Sequence, residues 1–325
     1  MHIAPRFSVI VPVYNRPDEL RELLESLACQ TYTNFEVLVV EDGSTLRSDE
    51  VVRAYSHRLH IQYLYKPNSG PGPSRNFGFS LARGEYLVVF DSDCIVPPHY
   101  FEAVNQALMN EAFDAWGGPD RGHETFTPLQ QAMAFTMAAG LTTGGIRGGK
   151  RENFQPRSFN MGMSKAVLEK TGGFRFSRLA EDIELSVRIR KAGFKVVLLK
   201  QAYVYHKRRT TLTQFFKQVV GFGRGRVRVG KAHPGEVKPV HWLPSLFLAG
   251  IILLPLLLLV YPPLFWLGSS LLMVFLITVA VQAYRVTRLA KVALLVIPAT
   301  LVQLMGYGYG FVSEQLKPVS EATSR

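Results

Sequence analysis

The chain has 325 residues, 47% of them hydrophobic, and a net charge of +12, enough for one large domain or two ordinary ones. Two cysteines, Cys29 and Cys94, rule out a disulfide framework and a cysteine-rich zinc site, and fit a reducing compartment. The positive charge is localised: residues 1–206 carry 23 Lys and Arg against 22 Asp and Glu, whereas eight basic residues and no acid fall between Lys207 and Lys231. A basic stretch next to apolar segments is the pattern of a membrane-proximal surface, which argues against nucleic acid as the partner.

The N-terminus lacks the basic start and apolar core of a signal peptide, so the first 240 residues are expected to stay in the cytosol. Phe7 to Asn15 reads as a strand running into a loop, and Arg16 to Gln30 as a helix with Leu20, Leu23, Leu24 and Leu27 on one face. Phe35 to Val40 repeats the strand, ending in Glu41-Asp42-Gly43-Ser44; Asp49 to Tyr55 is a short helix and Ile61 to Tyr65 a third strand. Ser69 to Pro73 is a turn opening a helix over Ser74 to Arg83, and Tyr86 to Phe90 is a fourth, fully apolar strand that stops at Asp91-Ser92-Asp93. This alternation predicts an α/β fold with a mainly parallel sheet and its functional groups on the loops after the strands. Asp91 and Asp93 would point the same way in extended chain, and so could share a hard divalent cation.

The pattern then loosens. Phe113 to Gly117 is a strand candidate, Leu129 to Ala139 a helix, and Gly144 to Arg157 a Gly- and Arg-rich segment expected to be mobile. Ser164 to Lys170 and Ile183 to Ala192 read as helices closed by glycines, and Phe194 to Leu199 and Ala202 to Tyr205 as strands. Thr211 to Val220 and Arg224 to Lys231 alternate aromatic and basic residues, as in a helix lying in a membrane interface. Leu243 to Tyr284 and Val292 to Ser313 contain no charge; about 20 apolar residues cross a bilayer, so three spans are expected near 243–261, 264–284 and 292–312. The expected organisation is an α/β domain over 1–206, a basic linker over 207–241, a membrane region over 242–313 and a tail over 314–325.

The blocks Phe7-Ser8-Val9-Ile10-Val11-Pro12-Val13-Tyr14-Asn15, Phe35 to Ser44, Ser74-Arg75-Asn76-Phe77-Gly78 and Gly84 to Asp93, followed by Asn160-Met161-Gly162-Met163, Gly172-Gly173-Phe174, Ala180-Glu181-Asp182 and Val204-Tyr205-His206, resemble family 2 glycosyltransferases. The resemblance covers about residues 7–206 and implies a GT-A fold, a nucleotide-diphosphate sugar as donor and inversion at the anomeric carbon. It also implies roles. Pro12 and Tyr14 would line the base, Asp42 would contact base or ribose, and Arg75 would lie near the nucleotide. Asp91 would meet ribose or metal, while Asp93 and His206 would hold Mg2+ or Mn2+. Asp182 would be the catalytic base, with Glu181 as runner-up.

Processive relatives such as cellulose and hyaluronan synthases carry a Gln-x-x-Arg-Trp motif. The stretch from Gln214 to Phe222 lacks its Arg-Trp, which points to addition of a single sugar. The acceptor is expected to be a lipid-linked or envelope glycan at the cytosolic membrane face. A polyprenyl phosphate is the alternative acceptor, and a non-catalytic membrane scaffold the alternative to an enzyme.

Overall fold

A computed structural model of the chain describes residues 4–122, 126–143 and 154–318. Among them, residues 4–122 with 154–207 form one compact unit, and residues 126–143 with 208–318 a second. The expected domain over 1–206 is therefore interrupted, because the helix near residue 130 packs with the C-terminal helices rather than with the sheet.

In chain order the first unit contains β1 (Phe7–Val13), α1 (Pro17–Ala28), β2 (Phe35–Asp42), α2 (Asp49–Tyr55), β3 (Ile61–Lys66), α3 (Pro71–Leu81), β4 (Tyr86–Val89), β5 (Cys94–Ile95), α4 (Tyr100–Asn110), β6 (Ala115–Gly117) and β7 (Asp120–Arg121). Helices α5 (Pro128–Ala138) and α6 (Gly140–Thr143) belong to the second unit; β8 (Met161–Ser164), α7 (Lys165–Thr171), α8 (Glu181–Lys191), β9 (Val196–Leu198) and β10 (Val204–His206) return to the first. Seven strands form a sheet in the order β3-β2-β1-β4-β8-β6-β9, in which β8 alone runs against its neighbours. This is the mainly parallel sheet the alternating pattern predicts.

Both faces of the sheet are covered, so its strands are apolar at nearly every position. Phe7, Val9, Val11 and Val13 of β1 pack with Leu20, Leu23, Leu24 and Leu27 of α1 and with Tyr100, Phe101 and Val104 of α4. Ile10 points the other way, as the two-residue period requires, and joins Phe79, Val167, Leu185 and Ile189 of α3, α7 and α8. Each such fully buried side chain contributes about 1.5–3 kcal/mol relative to exposure. Strand β8 has no β-branched residue; it fits because Gly162 lies flat against the Trp116 ring, which a Cβ there would meet at 2.1 Å. A small second sheet, β5-β10-β7, pairs His206 with Cys94 antiparallel and so brings the end of β10 beside Asp93.

The second unit continues with α9 (Leu212–Ala232), a short 3-10 turn (Pro239–Trp242), α10 (Leu243–Val260), α11 (Pro262–Thr287) and α12 (Ala290–Gln315). The two pieces expected on either side of residues 221–223 are a single helix, α9, whose Gly223 faces α12. Among the described residues, three helices are long and apolar enough to cross a membrane: Pro239–Val260, Pro262–Thr287 and Ala290–Gln315. They differ in cover: the first two are almost wholly exposed, and the last is partly buried.

Helix α12 is lined by α5, α9, α10 and α11, with Val279 and Ala283 of α11 in one core with its Val292, Val296 and Ala299. A Cβ on Gly223 would meet Tyr307 O at 2.2 Å, one on Gly310 would meet Val220 O at 2.1 Å, and one on Gly308 would meet Pro244 O at 2.4 Å. Polar contacts follow the same line: Gln303 Nε2 donates to the Thr136 and Thr142 carbonyls at 3.1 and 3.3 Å, and Arg228 Nε to Glu314 at 2.7 Å. Residue numbers rise together along both helices, so α9 and α12 run parallel. Part of the Gly144–Arg157 segment, residues 144–153, lies outside the described residues.

Candidate active site

Asp42, Asp91, Asp93 and His206 all lie at or just past the carboxyl ends of strands, where open α/β sheets bind ligands, and Glu181 and Asp182 open α8. The chain beyond β4 is a turn, closed by the Cys94 N–H donating to the Asp91 carbonyl at 3.1 Å. The extended geometry assumed for Asp91-Ser92-Asp93 is thus replaced by a bend, and the two carboxylates have separate partners.

Asp93 is buried between two cationic or imidazole groups. His206 Nε2 lies 3.1 Å from its Oδ1, and Arg16 Nη1 donates to its Oδ2 at 2.6 Å. Burial opposes ionisation of Asp93, but His206 and Arg16 together outweigh it and hold the carboxyl well below the usual range. The Lys207 N–H donates to the Asp93 carbonyl at 3.1 Å, fixing the end of β10 against the turn, and Phe159 stacks on the His206 ring with centroids 5.0 Å apart. Among the described residues, Asp93, Cys94 and His206 bring potential ligand atoms within 4.8 Å of one another. Burial pushes the Cys94 thiol well up, and Sγ donates to the Phe159 carbonyl, so the available donors are carboxylate oxygen and imidazole nitrogen. That set fits Mn2+ or Mg2+. A second observation agrees: His206 Nδ1 is buried without a hydrogen-bond partner, so the ring is not fully committed to the protein.

Asp91 belongs to a different group. Arg75, buried on α3, donates through Nη2 to Asp91 Oδ1 at 2.7 Å and through Nη1 to Glu181 Oε1 at 2.8 Å, with its guanidinium over the Phe174 ring. Burial works against the charge on Arg75, but Asp91 and Glu181 more than compensate and raise its pKa. Burial also raises the Glu181 pKa, aided by Asp182 and opposed by Arg75.

Leu179 and Ala180 are both left-handed, at φ 62°, and turn the chain sharply into α8. There Asp182 accepts from the Ser158 N–H at 3.2 Å and the Ile183 N–H at 2.7 Å, with Arg157 Nη1 at 3.8 Å. Acids in this first turn also suit the helix dipole.

Asp42 is committed to its own loop. Its Oδ1 accepts from Lys66 Nζ at 2.6 Å and the Ser69 N–H at 2.9 Å, and Oδ2 from the Gly70 N–H at 2.9 Å. Burial raises its pKa, but these donors win and lower it. Pro12 is half-buried near the end of β1, and Tyr14 beyond it is exposed. Asn15, left-handed at φ 54°, accepts through Oδ1 from the Thr45 and Leu46 N–H groups at 2.8 and 2.9 Å and ties the β1 loop to the β2 loop.

The site thus contains Asn15, Arg16, Lys66, Arg157 and Phe159, which the sequence reading did not single out. Lys66 had a signal, since the parallel register places it opposite Asp42. Arg16 and Arg157 had none that spacing could supply.

A model of the family described as Glycosyl transferase family 2 matches residues 8–172, about half of the chain. The chain belongs to that family. Among curated relatives, it is 34% identical over 115 residues to the "Uncharacterized glycosyltransferase YibD" of Escherichia coli (strain K12), covering 35% of this chain and 33% of the relative. To the "Glycosyltransferase GlyA" of Streptococcus pneumoniae serotype 4 it is 28% identical over 231 residues, 67% of this chain and 33% of the relative. The match thus spans about a third of the length of either relative. A solved structure, the mannosyltransferase PcManGT from Pyrobaculum calidifontis in complex with GDP-Man and Mn2+, superposes with a TM-score of 0.64 at 18% identity, covering 93% of this chain and 88% of that one. That likeness establishes a GT-A-like fold for this family 2 chain, followed by apolar helices.

Proposed function

We propose that the chain transfers a single sugar, with inversion, from a nucleotide-diphosphate sugar to a hydroxyl of a lipid-linked or envelope glycan acceptor. The observation that carries this reading is a pair of groups on one short turn and one helix start: His206 with Asp93, and, two residues from Asp93, Asp91 with Arg75, which also holds Glu181 next to Asp182. It joins a cation-type site to a carboxylate at a helix start, the two functions that donor departure and acceptor attack require. Nucleotide-sugar ligands in solved relatives of the same fold, UDP-GlcNAc with S. aureus TarS 1-349 and GDP-Man with PcManGT, are consistent with the donor class.

Asp93 and His206 would hold Mg2+ or Mn2+, which when bound neutralises charge on a departing diphosphate. The remaining work belongs to side chains. Asp182 takes the proton of the acceptor hydroxyl as its oxygen attacks the anomeric carbon and the bond to the diphosphate oxygen breaks. Its backbone donors and Arg157 keep the carboxylate oriented, whereas Glu181 is bound to Arg75, which favours Asp182 as the base and makes Glu181 a positioning residue. Pro12 and Tyr14 line the side where the nucleobase binds. Asp42 shapes the loop that starts α3 and thereby sets Arg75, and the free side of Asp91 faces the ribose.

The chain is a multi-pass membrane protein in this reading, with its catalytic unit cytosolic. Helices α10 and α11 form the crossing pair: their leucines are exposed, Arg285, Arg288 and Lys291 flank one end and the Lys207–Lys231 stretch the other, and Tyr261-Pro262-Pro263 makes a neutral tip. Helix α12, lined by the arginine-bearing α9, stays on the cytosolic side. We propose this arrangement in place of the three expected spans, because α9, which carries Arg224, Arg226 and Arg228, packs along the second half of α12, and hydrocarbon is a poor environment for those arginines and for Gln303.

Membranes containing the chain, incubated with labelled UDP- and GDP-sugars and Mn2+ and then extracted for lipid, should yield label in the lipid fraction with one donor. Calorimetry with UDP, GDP and Mn2+ that detects no binding to the purified chain would refute the reading and leave the scaffold alternative.

A further inference from the structure

Arg16 occupies half of the carboxylate that the reading above assigns to the cation. Its Nη1 lies 2.6 Å from Asp93 Oδ2, with Asp93 10% exposed and Arg16 32%. The contact is set by the fold: Asn15, just before it, is left-handed, donates its N–H to Ser44 Oγ at 2.8 Å and clamps the Thr45 and Leu46 amides, which fixes where α1 begins. The other acids acting on Arg16 are Glu19 and Asp91. Asp93 Oδ1 faces His206, so Oδ2 is the oxygen for which two cations compete.

Two positive charges on one carboxylate repel strongly at such range when partly desolvated. A diphosphate changes that balance, because guanidinium binds phosphate oxygens bidentately and better than it binds a single carboxylate oxygen. We propose that Arg16 is an exchange latch on Asp93. Before donor binds, the guanidinium pairs with Asp93 and keeps the cation affinity low. When the nucleotide diphosphate arrives, the Arg16–Asp93 ion pair breaks, Arg16 pairs with the diphosphate, and Asp93 Oδ2 becomes available to the cation. No covalent bond changes: the Arg16–Asp93 ion pair is exchanged for an Arg16–diphosphate pair and a cation–Asp93 pair, the anion and the cation both entering from solution. By linkage the nucleotide must raise the Mn2+ affinity by the same factor as Mn2+ raises that of the nucleotide.

The inference rests on Asp93 and His206 being the cation site, so the experiment separates the two claims. Mn2+ uptake by the purified full chain is measured by equilibrium dialysis, with and without UDP or GDP, for the wild type, Arg16→Gln, Arg16→Lys and Asp93→Asn, each checked for an unchanged thermal melt. The wild type should bind Mn2+ about tenfold more tightly with its nucleotide, within the usual range of coupling between sites. Arg16→Gln should bind Mn2+ about tenfold more tightly than wild type when no nucleotide is present and lose most of the nucleotide enhancement. Arg16→Lys, which keeps the charge, should behave like the wild type in nucleotide-free buffer. Equal Mn2+ affinity for Arg16→Gln and wild type, with Asp93→Asn abolishing uptake, would overturn the latch and leave the cation site standing. Uptake by Asp93→Asn equal to wild type would overturn the site and the latch together.

Discussion

At the scale of single residues, the two acids that open α8 have different employment. Glu181 is held by the buried Arg75 and Asp182 by backbone amides, so their amide variants should fail differently. Asp182→Asn should melt like the wild type while transfer falls about 10²–10⁴-fold, the usual worth of a general base. Glu181→Gln should instead lower stability by about 1–3 kcal/mol, because Arg75 keeps its charge in a buried place with one carboxylate fewer. A pair of melts and initial rates distinguishes them, and equal rate losses with equal melts would contradict the assignment.

Asp42 gives a pH test. Its pKa is depressed in the folded chain, so its contribution to stability is present above the free-carboxylate value of about 4 and is lost as pH falls through the lower folded value. Asp42→Asn should therefore be less stable than wild type at pH 7, and the gap should narrow as melts are taken below pH 4. The residues that sequence made legible are those carried by short motifs at strand ends. Arg16 escaped notice because nothing in the run Asn15-Arg16-Pro17 says that its side chain crosses to a carboxylate 77 residues away.

At the scale of elements, β1 to β4 with α1 to α3 were readable because buried parallel strands and amphipathic helices leave unmistakable periods. Helix α4 carried the same signal, Tyr100, Phe101, Val104, Ala107 and Leu108, and was overlooked between a metal-type motif and a loosening pattern. Strand β8 was not legible, since Met161-Gly162-Met163-Ser164 has low strand propensity and exists to let Trp116 lie on Gly162. The split of α9 at its glycines misread them as a break. Gly223 is a contact point where α12 approaches the α9 backbone, and Gly223→Ala should cost about 1–3 kcal/mol through overpacking against Tyr307 and Phe311. Melting of the detergent-purified chain measures it. A shift no larger than that of Gly250→Ala, where a Cβ meets open space, would show the close packing to be unimportant.

At the scale of the whole molecule, apolar length identified three candidate spans, but only packing distinguishes the third from the other two. With α10 and α11 as the crossing pair, a thiol at Lys317→Cys should react with a membrane-impermeant maleimide from the same side as the exposed Cys29. Labelling from opposite sides would restore the three-span arrangement. The position of α12 also bears on assembly. It is synthesised after the other helices of its unit yet covers faces of α5 and α9 that emerge from the ribosome long before it, including Met133, Phe215 and Val219. Those faces stay uncovered until α12 is made, during which time, in the proposed arrangement, the α10–α11 pair would enter the bilayer. A chain stopped after Thr287 should consequently be degraded or aggregate even where it reaches the membrane, making the closing helix a quality checkpoint for the finished chain.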